Sequence, residues 1–180
     1  MKINKTFIEH LLIIEPQVFK DDRGFFYESY NKNNLDKVLN VVFVQDNESK
    51  SHKGVVRGLH FQAPPFEQTK LVRCVSGKIL DVAVDLRTNS KTYGKSFSIE
   101  LSSENNKQLF VPKGFAHGFQ VLSREATVNY KVDEYYNPDS DCGIIWNDQN
   151  LLIDWNYDIK PILSDKDSKL DLFKNLKSPF

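Results

Sequence analysis

Ile79-Leu80-Asp81-Val82-Ala83-Val84-Asp85-Leu86-Arg87 alternates with a period of two, and that period decides the fold class. Leu80, Val82, Val84 and Leu86 share one side of an extended chain, while Asp81, Asp85 and Arg87 share the other. The pattern recurs in both directions. It marks strand candidates at Phe25–Glu28, Val41–Asp46, Val55–Gln62, Lys70–Val75, Phe97–Ser102, Gln108–Val111, His117–Leu122, Ala126–Val132 and Ile144–Trp146. Ser76-Gly77, between two of these runs, reads as a tight hairpin turn. Helical periodicity is scarce. Asn31–Leu39 predicts one short helix, and Asp165–Leu176 a C-terminal one with Ser164 as N-cap and Lys174 and Lys177 near the negative end of its dipole. Leu151–Lys160 reads as irregular. Many short strands, spaced by roughly 8–12 residues, predict a mainly β sandwich or barrel.

Length and composition narrow the function classes. A chain of 180 residues is long enough for one domain with a core of its own. Its 24 basic and 24 acidic residues cancel, which argues against a dedicated nucleic-acid binder with a basic footprint. Thirteen Phe, seven Tyr and two Trp suit a β architecture. Cys74 and Cys142 are the only cysteines, and without a secretion signal they point to a reducing compartment and apolar, buried roles. Glu9, His10 and Glu15 interrupt the N-terminal apolar residues, and no apolar run nears the ~20 residues of a membrane span. The expectation is a soluble, cytoplasmic, single-domain protein over residues 1–180 that binds neither membrane nor nucleic acid.

The chemistry concentrates in Arg57-Gly58-Leu59-His60-Phe61-Gln62 and in Lys70 just beyond it. An imidazole can take a proton near neutral pH, and an ammonium can hold the negative charge left behind. Arg57 and His60 differ in parity, so a regular strand would send them to opposite faces. A bulge at Gly58 would turn both into one cavity. Tyr130 lies in phase with Val128 and Val132, which directs its ring to an apolar interior, and His117 shares a face with Phe119 and Val121. Taken singly, His60 reads more readily as a hydrogen-bonded strand residue than as a catalyst, Lys70 as a solvated strand end and Tyr130 as a core tyrosine.

Pro112-Lys113-Gly114-Phe115-Ala116-His117-Gly118 resembles the second conserved motif of the cupins, which are double-stranded β-helix (jelly-roll) barrels. The first cupin motif normally carries His-x-His and a Glu that hold a metal. The corresponding positions here are His60-x-Gln62 and Gln68, and an amide is a poor ligand for zinc or iron. The resemblance implies a cupin-like barrel with short peripheral helices, in which acid–base chemistry replaces the metal site.

Nine blocks then occur in order. They are Asp22-Arg23-Gly24-Phe25-Phe26-x-Glu28, Gln45-Asp46-Asn47-x-Ser49, the Arg57–Gln62 stretch, Lys70-Leu71-Val72, Asp81–Arg87, Pro112–Phe119, Tyr130-Lys131, Trp146-Asn147-Asp148 and Leu163-Ser164-Asp165-Lys166-Asp167. Together they resemble the dTDP-4-dehydrorhamnose 3,5-epimerase family. That resemblance implies a dTDP-4-keto-6-deoxyhexose substrate, no cofactor, no metal, and a homodimer whose N-terminal strands cross to the partner. It also implies roles. His60 would be the base, Asp167 its carboxylate partner, Lys70 the cation beside the enolate and Tyr130 the proton donor on the opposite face. Arg23, Glu28, Gln45, Asn47, Arg57 and His117 would surround the nucleotide, diphosphate or sugar, with Arg23 and Arg57 as diphosphate clamps. Lys166 would be a nucleotide contact and Asp81 a supporting group. Phe25-Phe26-Tyr27 could stack on a base, although core packing is the preferred reading. Asp141 stands where the family usually has Glu before Gly-Ile-x-Trp, so a substrate contact there would shift by one methylene. The motifs do not separate C3,C5 epimerisation from C3-only (or C5-only) epimerisation of a dTDP-4-keto-6-deoxyhexose in another deoxysugar pathway. The competing classes are a metal-dependent cupin enzyme and a non-catalytic sugar-nucleotide binding module.

Overall fold

Period-two alternation is realised as two antiparallel sheets with the main apolar core between them. The computed structural model describes residues 1–180, apart from the side chains of Asp36 and Lys37. In chain order the elements are β1 (Lys2–Lys5), β2 (Leu12–Glu15), β3 (Phe19–Asp21), β4 (Gly24–Phe26), α1 (Lys32–Leu39), β5 (Gln45–His52), β6 (Val56–Gln62) and β7 (Lys70–Ser76). They continue with β8 (Lys78–Asp85), β9 (Ser96–Ser102), β10 (Gln108–Val111), β11 (Phe115–Val121), β12 (Glu125–Val132) and β13 (Asp141–Gly143). One sheet runs β1-β2-β10-β7-β12-β5 and the other β13-β6-β11-β8-β9, while β3 and β4 form a separate hairpin. From β5 onward the chain changes sheet at every step except β8 to β9. That winding is the jelly-roll barrel of a cupin-like fold.

The two parities of β8 are both buried, and this decides what faces the barrel interior. Leu80, Val82, Val84 and Leu86 pack outward against Trp146, Leu151, Ile153 and Trp155. Ile79 and Ala83 belong to the central core, so Asp81, which shares their parity, points inward. Burying each of these aliphatic side chains stabilises the fold by roughly 1.5–3 kcal/mol. A third apolar cluster lies on the other sheet's outer face, where Leu35 and Leu39 of α1, one turn apart, cover Ile14, Leu71 and Phe110.

The structure corrects four local expectations. Ser76-Gly77 is not a hairpin: β7 and β8 lie in different sheets, and Gly77 (φ +78°) carries the chain across the barrel edge. A Cβ there would lie 2.1 Å from the Glu125 carbonyl oxygen. The expected C-terminal helix is replaced by two short 3-10 turns, Asp167–Lys169 and Phe173–Asn175. Long-range bonds win over helix propensity there. The Asp148 carboxylate accepts the Phe173 N–H (2.6 Å), and the Asp171 carbonyl accepts the Ile145 N–H (2.9 Å). The Ser164 hydroxyl accepts the Asp167 N–H at 3.1 Å, but the turn that follows has Lys166 at its N-cap, so Ser164 caps no helix. Phe25 and Phe26 are 59 % and 66 % exposed, so the aromatic run does not fill core. Finally, β5 begins where Val41–Asp46 was expected to end, β13 precedes Ile144–Trp146, and β1, β2 and β3 went unanticipated.

Candidate active site

Gly58 makes the bulge that the sequence called for. His117 of β11 faces His60 of β6, yet Phe119 faces Arg57, so two steps on β11 span three on β6. Gly58 adopts φ +119°, and a Cβ there would lie 2.6 Å from the Gly118 Cα, so the two glycines let the strands close up. Arg57 and His60 therefore line one cavity of about 390 Å³ together with Lys70, His117, Tyr130, Lys166 and Asp167.

Two imidazole–carboxylate pairs stand here: His60, Asp167 and His117 line the cavity, and Asp81 is buried behind His117. His60 Nε2 lies 2.6 Å from Asp167 Oδ1, and the Gly58 N–H points to the other carboxylate oxygen at 3.5 Å. Burial works against ionising Asp167, but the hydrogen bond and charge of His60, with the Gly58 and Ser164 groups, hold its carboxyl below the usual carboxylate range. An ionised carboxylate only accepts, so Nε2 is the donor of this pair, and in the neutral imidazole the basic lone pair is the one on Nδ1. His117 Nε2 lies 2.8 Å from Asp81 Oδ1, and both residues are buried. Asp81 Oδ2 is buried without a hydrogen-bond partner among the described residues.

The remaining groups have tuned acidities. Burial pushes the Lys70 ammonium down to about 8, against the upward pull of the Asp141 and Asp81 charges. Burial raises the Tyr130 phenol, and the Arg57 cation partly offsets it. Asp141 does not line the cavity; its carboxylate accepts from the ammonium of Lys166, which does, and from the Tyr136 hydroxyl (2.8 Å). Burial disfavours its charge, but these two donors hold Asp141 below the usual carboxylate range.

Not every expected residue reaches the cavity. Gln45 donates to Asn47 at 2.7 Å, and both lie on the inward parity of β5, beyond the cavity lining. Arg23 sits 90 % exposed on the β3–β4 hairpin, paired with Asp21. Glu28 accepts from Asn31 at 3.0 Å and borders a separate hollow. Within one chain, then, Arg23 and Glu28 are not part of this site. Gln62, at the position of a cupin ligand, donates to the Phe66 and Tyr135 carbonyls and accepts the Asn137 N–H, while Gln68 donates to the Glu134 carbonyl. Both amides anchor loops. Among the described residues no three His, Cys, Asp or Glu side chains gather in a metal-binding group. Ser49, Ser51 and Phe119 went unmarked as site residues. For the serines the available signal was their shared parity with Gln45 and Asn47 on β5.

Comparison with known proteins decides the family. The dTDP-4-dehydrorhamnose 3,5-epimerase family profile matches residues 5–175, a span that contains every residue lining the cavity. The dTDP-4-dehydrorhamnose 3,5-epimerase of Escherichia coli is 54% identical over 172 residues, which is 94% of this chain and 93% of that protein. This chain belongs to the dTDP-4-dehydrorhamnose 3,5-epimerase family. Among solved structures, the dTDP-6-deoxy-D-glucose-3,5-epimerase of Legionella pneumophila in complex with dTDP-4-keto-L-rhamnose superposes with a TM-score of 0.93 at 46% identity, covering 98% of this chain and 94% of that one. ChmJ, a 3'-monoepimerase from Streptomyces bikiniensis in complex with dTDP-quinovose, gives 0.88 at 31% identity over 93% of this chain and 85% of that one. The 3,5-epimerase family thus shares its barrel with an enzyme that acts at one centre.

Proposed function

We propose that this protein is an isomerase that converts dTDP-4-dehydro-6-deoxy-D-glucose to dTDP-4-dehydro-L-rhamnose, acting as a single cupin-like domain. The observation that carries the reading is the convergence of a carboxylate-paired imidazole, a half-buried ammonium and a half-buried phenol on one cavity. The C3 and C5 hydrogens both flank the C4 ketone, so removing either as a proton gives an enolate stabilised by the same oxygen. His60 Nδ1 takes the proton, and Asp167 stabilises the imidazolium that forms. Lys70 donates to the developing enolate oxygen. Tyr130 returns a proton to the opposite face of the carbon, which inverts it. Proton transfer on this scheme moves no electrons to or from a carrier. Arg57 and His117 hold the diphosphate and sugar, and Lys166 with Asp141 borders the nucleotide. The 54% identical epimerase of E. coli supports the two-centre reaction over the C3-only alternative.

The β3–β4 hairpin supports a homodimer. Among the described residues it hydrogen-bonds to no other strand, and it exposes Phe19, Phe25 and Phe26 and carries Arg23, with Glu28 just beyond. Seated on a second copy, it would bring Arg23 and Glu28 to that copy's cavity and cover the aromatic rings. Among the described residues no helix is long and apolar enough to cross a membrane, which fits a cytoplasmic enzyme of sugar-nucleotide metabolism.

Incubation with the 4-keto sugar nucleotide in deuterium oxide, followed by NMR, tests the reaction. Deuterium enters at C3 and C5 and L-rhamno product accumulates, with the same rate after chelator treatment. Label at C3 alone would establish the one-centre reaction, and no label would remove the epimerase reading. Lys70 adds a pH signature. Burial brings the Lys70 ammonium down to about 8, and only the protonated form sets a positive charge against the enolate. Below that value the cation predominates, so kcat/KM falls as pH rises through about 8. A kcat/KM that stays level from neutrality to well above that pH would deny Lys70 its assignment.

A further inference from the structure

Among the described residues three arginines have a hydrogen-bonded Nε, and they are held in two different ways. Arg87 Nε and Nη2 both bond the Asp85 carboxylate at 2.8 Å, and Arg23 Nε and Nη2 both bond Asp21. Each of those guanidinium groups has its charge matched by a carboxylate at contact distance. Arg57 differs. Its Nε donates to the Ser51 hydroxyl at 3.1 Å, and among the described residues it has no carboxylate partner and no hydrogen bond at either Nη. Ser51 is buried, while Arg57 lines the cavity. The bond crosses from β5 to β6, and both strands are fixed where they meet. Ser51 pairs with Ala126, Arg57 with Phe119, and the turn between them is tied by the Lys53, Gly54 and Val55 N–H groups to the carbonyls of Arg124, Val121 and His52.

We propose that Ser51 is the positioning residue for Arg57, a neutral anchor that orients the guanidinium for the substrate diphosphate without cancelling its charge. A carboxylate in the same place would hold Nε more strongly but would compete with phosphate for the cation. A hydroxyl fixes the plane of the fork and leaves both terminal nitrogens for phosphate oxygens. The cost of ordering a long, flexible side chain is then met before the ligand arrives, which is how preorganisation raises affinity. The inference rests on the reading of this cavity as a nucleotide-sugar site.

The test is a mutant cycle read by dTDP affinity, with steady-state kinetics alongside. Ser51→Ala weakens dTDP binding and raises KM about tenfold while kcat changes by less than about twofold. Ser51→Thr, which keeps the hydroxyl, binds as the wild type does. Arg57→Lys keeps the charge but has no Nε, so adding Ser51→Ala to it causes no further loss. Wild-type affinity in Ser51→Ala would overturn the proposal. So would an equal loss in the Arg57→Lys background, since Ser51 would then act by another route. A wild-type protein that does not bind dTDP at all would overturn the site reading itself, and the role of Ser51 with it. That outcome is distinct from a wild type that binds and a Ser51→Ala variant that binds equally well.

Discussion

His60→Ala abolishes solvent deuterium incorporation at both C3 and C5 and lowers kcat by roughly 10²–10⁴-fold, the range for a positioned acid–base group. The expectation follows from the hydrogen-bond network. Asp167 occupies Nε2 and is held as an anion, which leaves Nδ1 as the imidazole's one basic site. Once Nδ1 takes a proton, the imidazolium is stabilised by a nearly buried carboxylate rather than by water. One base serves both carbons, since each hydrogen is acidified by the same ketone. The loss must therefore appear at C3 and C5 together. Asp167→Asn weakens the same exchange without eliminating it, because the imidazole remains but loses its counter-charge. Measurement is by proton NMR in deuterium oxide at matched enzyme concentration. Exchange at the wild-type rate in His60→Ala would exclude the imidazole as base. His60→Ala also leaves Asp167 without its partner, so its thermal midpoint falls, and exchange rates are compared below that midpoint.

Tyr130→Phe separates the two halves of the reaction. The variant keeps the ring that packs against the core and loses only the hydroxyl. Proton abstraction by His60 continues, and deuterium still washes in from the face of the base. Inverted product falls by roughly 10²–10³-fold, because the opposite face has lost its donor. Burial raises the Tyr130 phenol, and Arg57 limits that rise. A phenol of this acidity stays protonated at neutral pH and still yields its proton to an enolate, which is a far stronger base. Unchanged yield of L-rhamno product would end the assignment. Parallel loss of wash-in and inversion would instead place Tyr130 in substrate binding.

These groups were legible in the sequence to different degrees. Strand alternation placed Tyr130 toward the interior and set His117 with Phe119, and both lie in the cavity wall. The parity conflict between Arg57 and His60 suggested a bulge at Gly58, and the register shift is there. Asp167 was different. It pairs with a histidine 107 residues away, and only the family resemblance pointed to it. Ser51 carried no sequence signal beyond parity, since a serine on a strand is ordinary. Arg23 and Glu28 match family motifs but lie outside the cavity of their own chain.

The sequence by itself determined most of the barrel's extended segments, from Val55 to Val132, and which side chains share a face along each of them. Those properties depend on backbone geometry repeating every two residues and on glycines at special angles, and both are local. Only the tertiary structure decided which strands pair, so that Ser76-Gly77 crosses between sheets instead of closing a hairpin. It also decided that residues 165–176 run as two short turns against the outer core, and that Asp81 faces the cavity side while its apolar neighbours face out. Those outcomes depend on surfaces and hydrogen-bond partners that lie dozens of residues apart along the chain and meet only when the barrel closes.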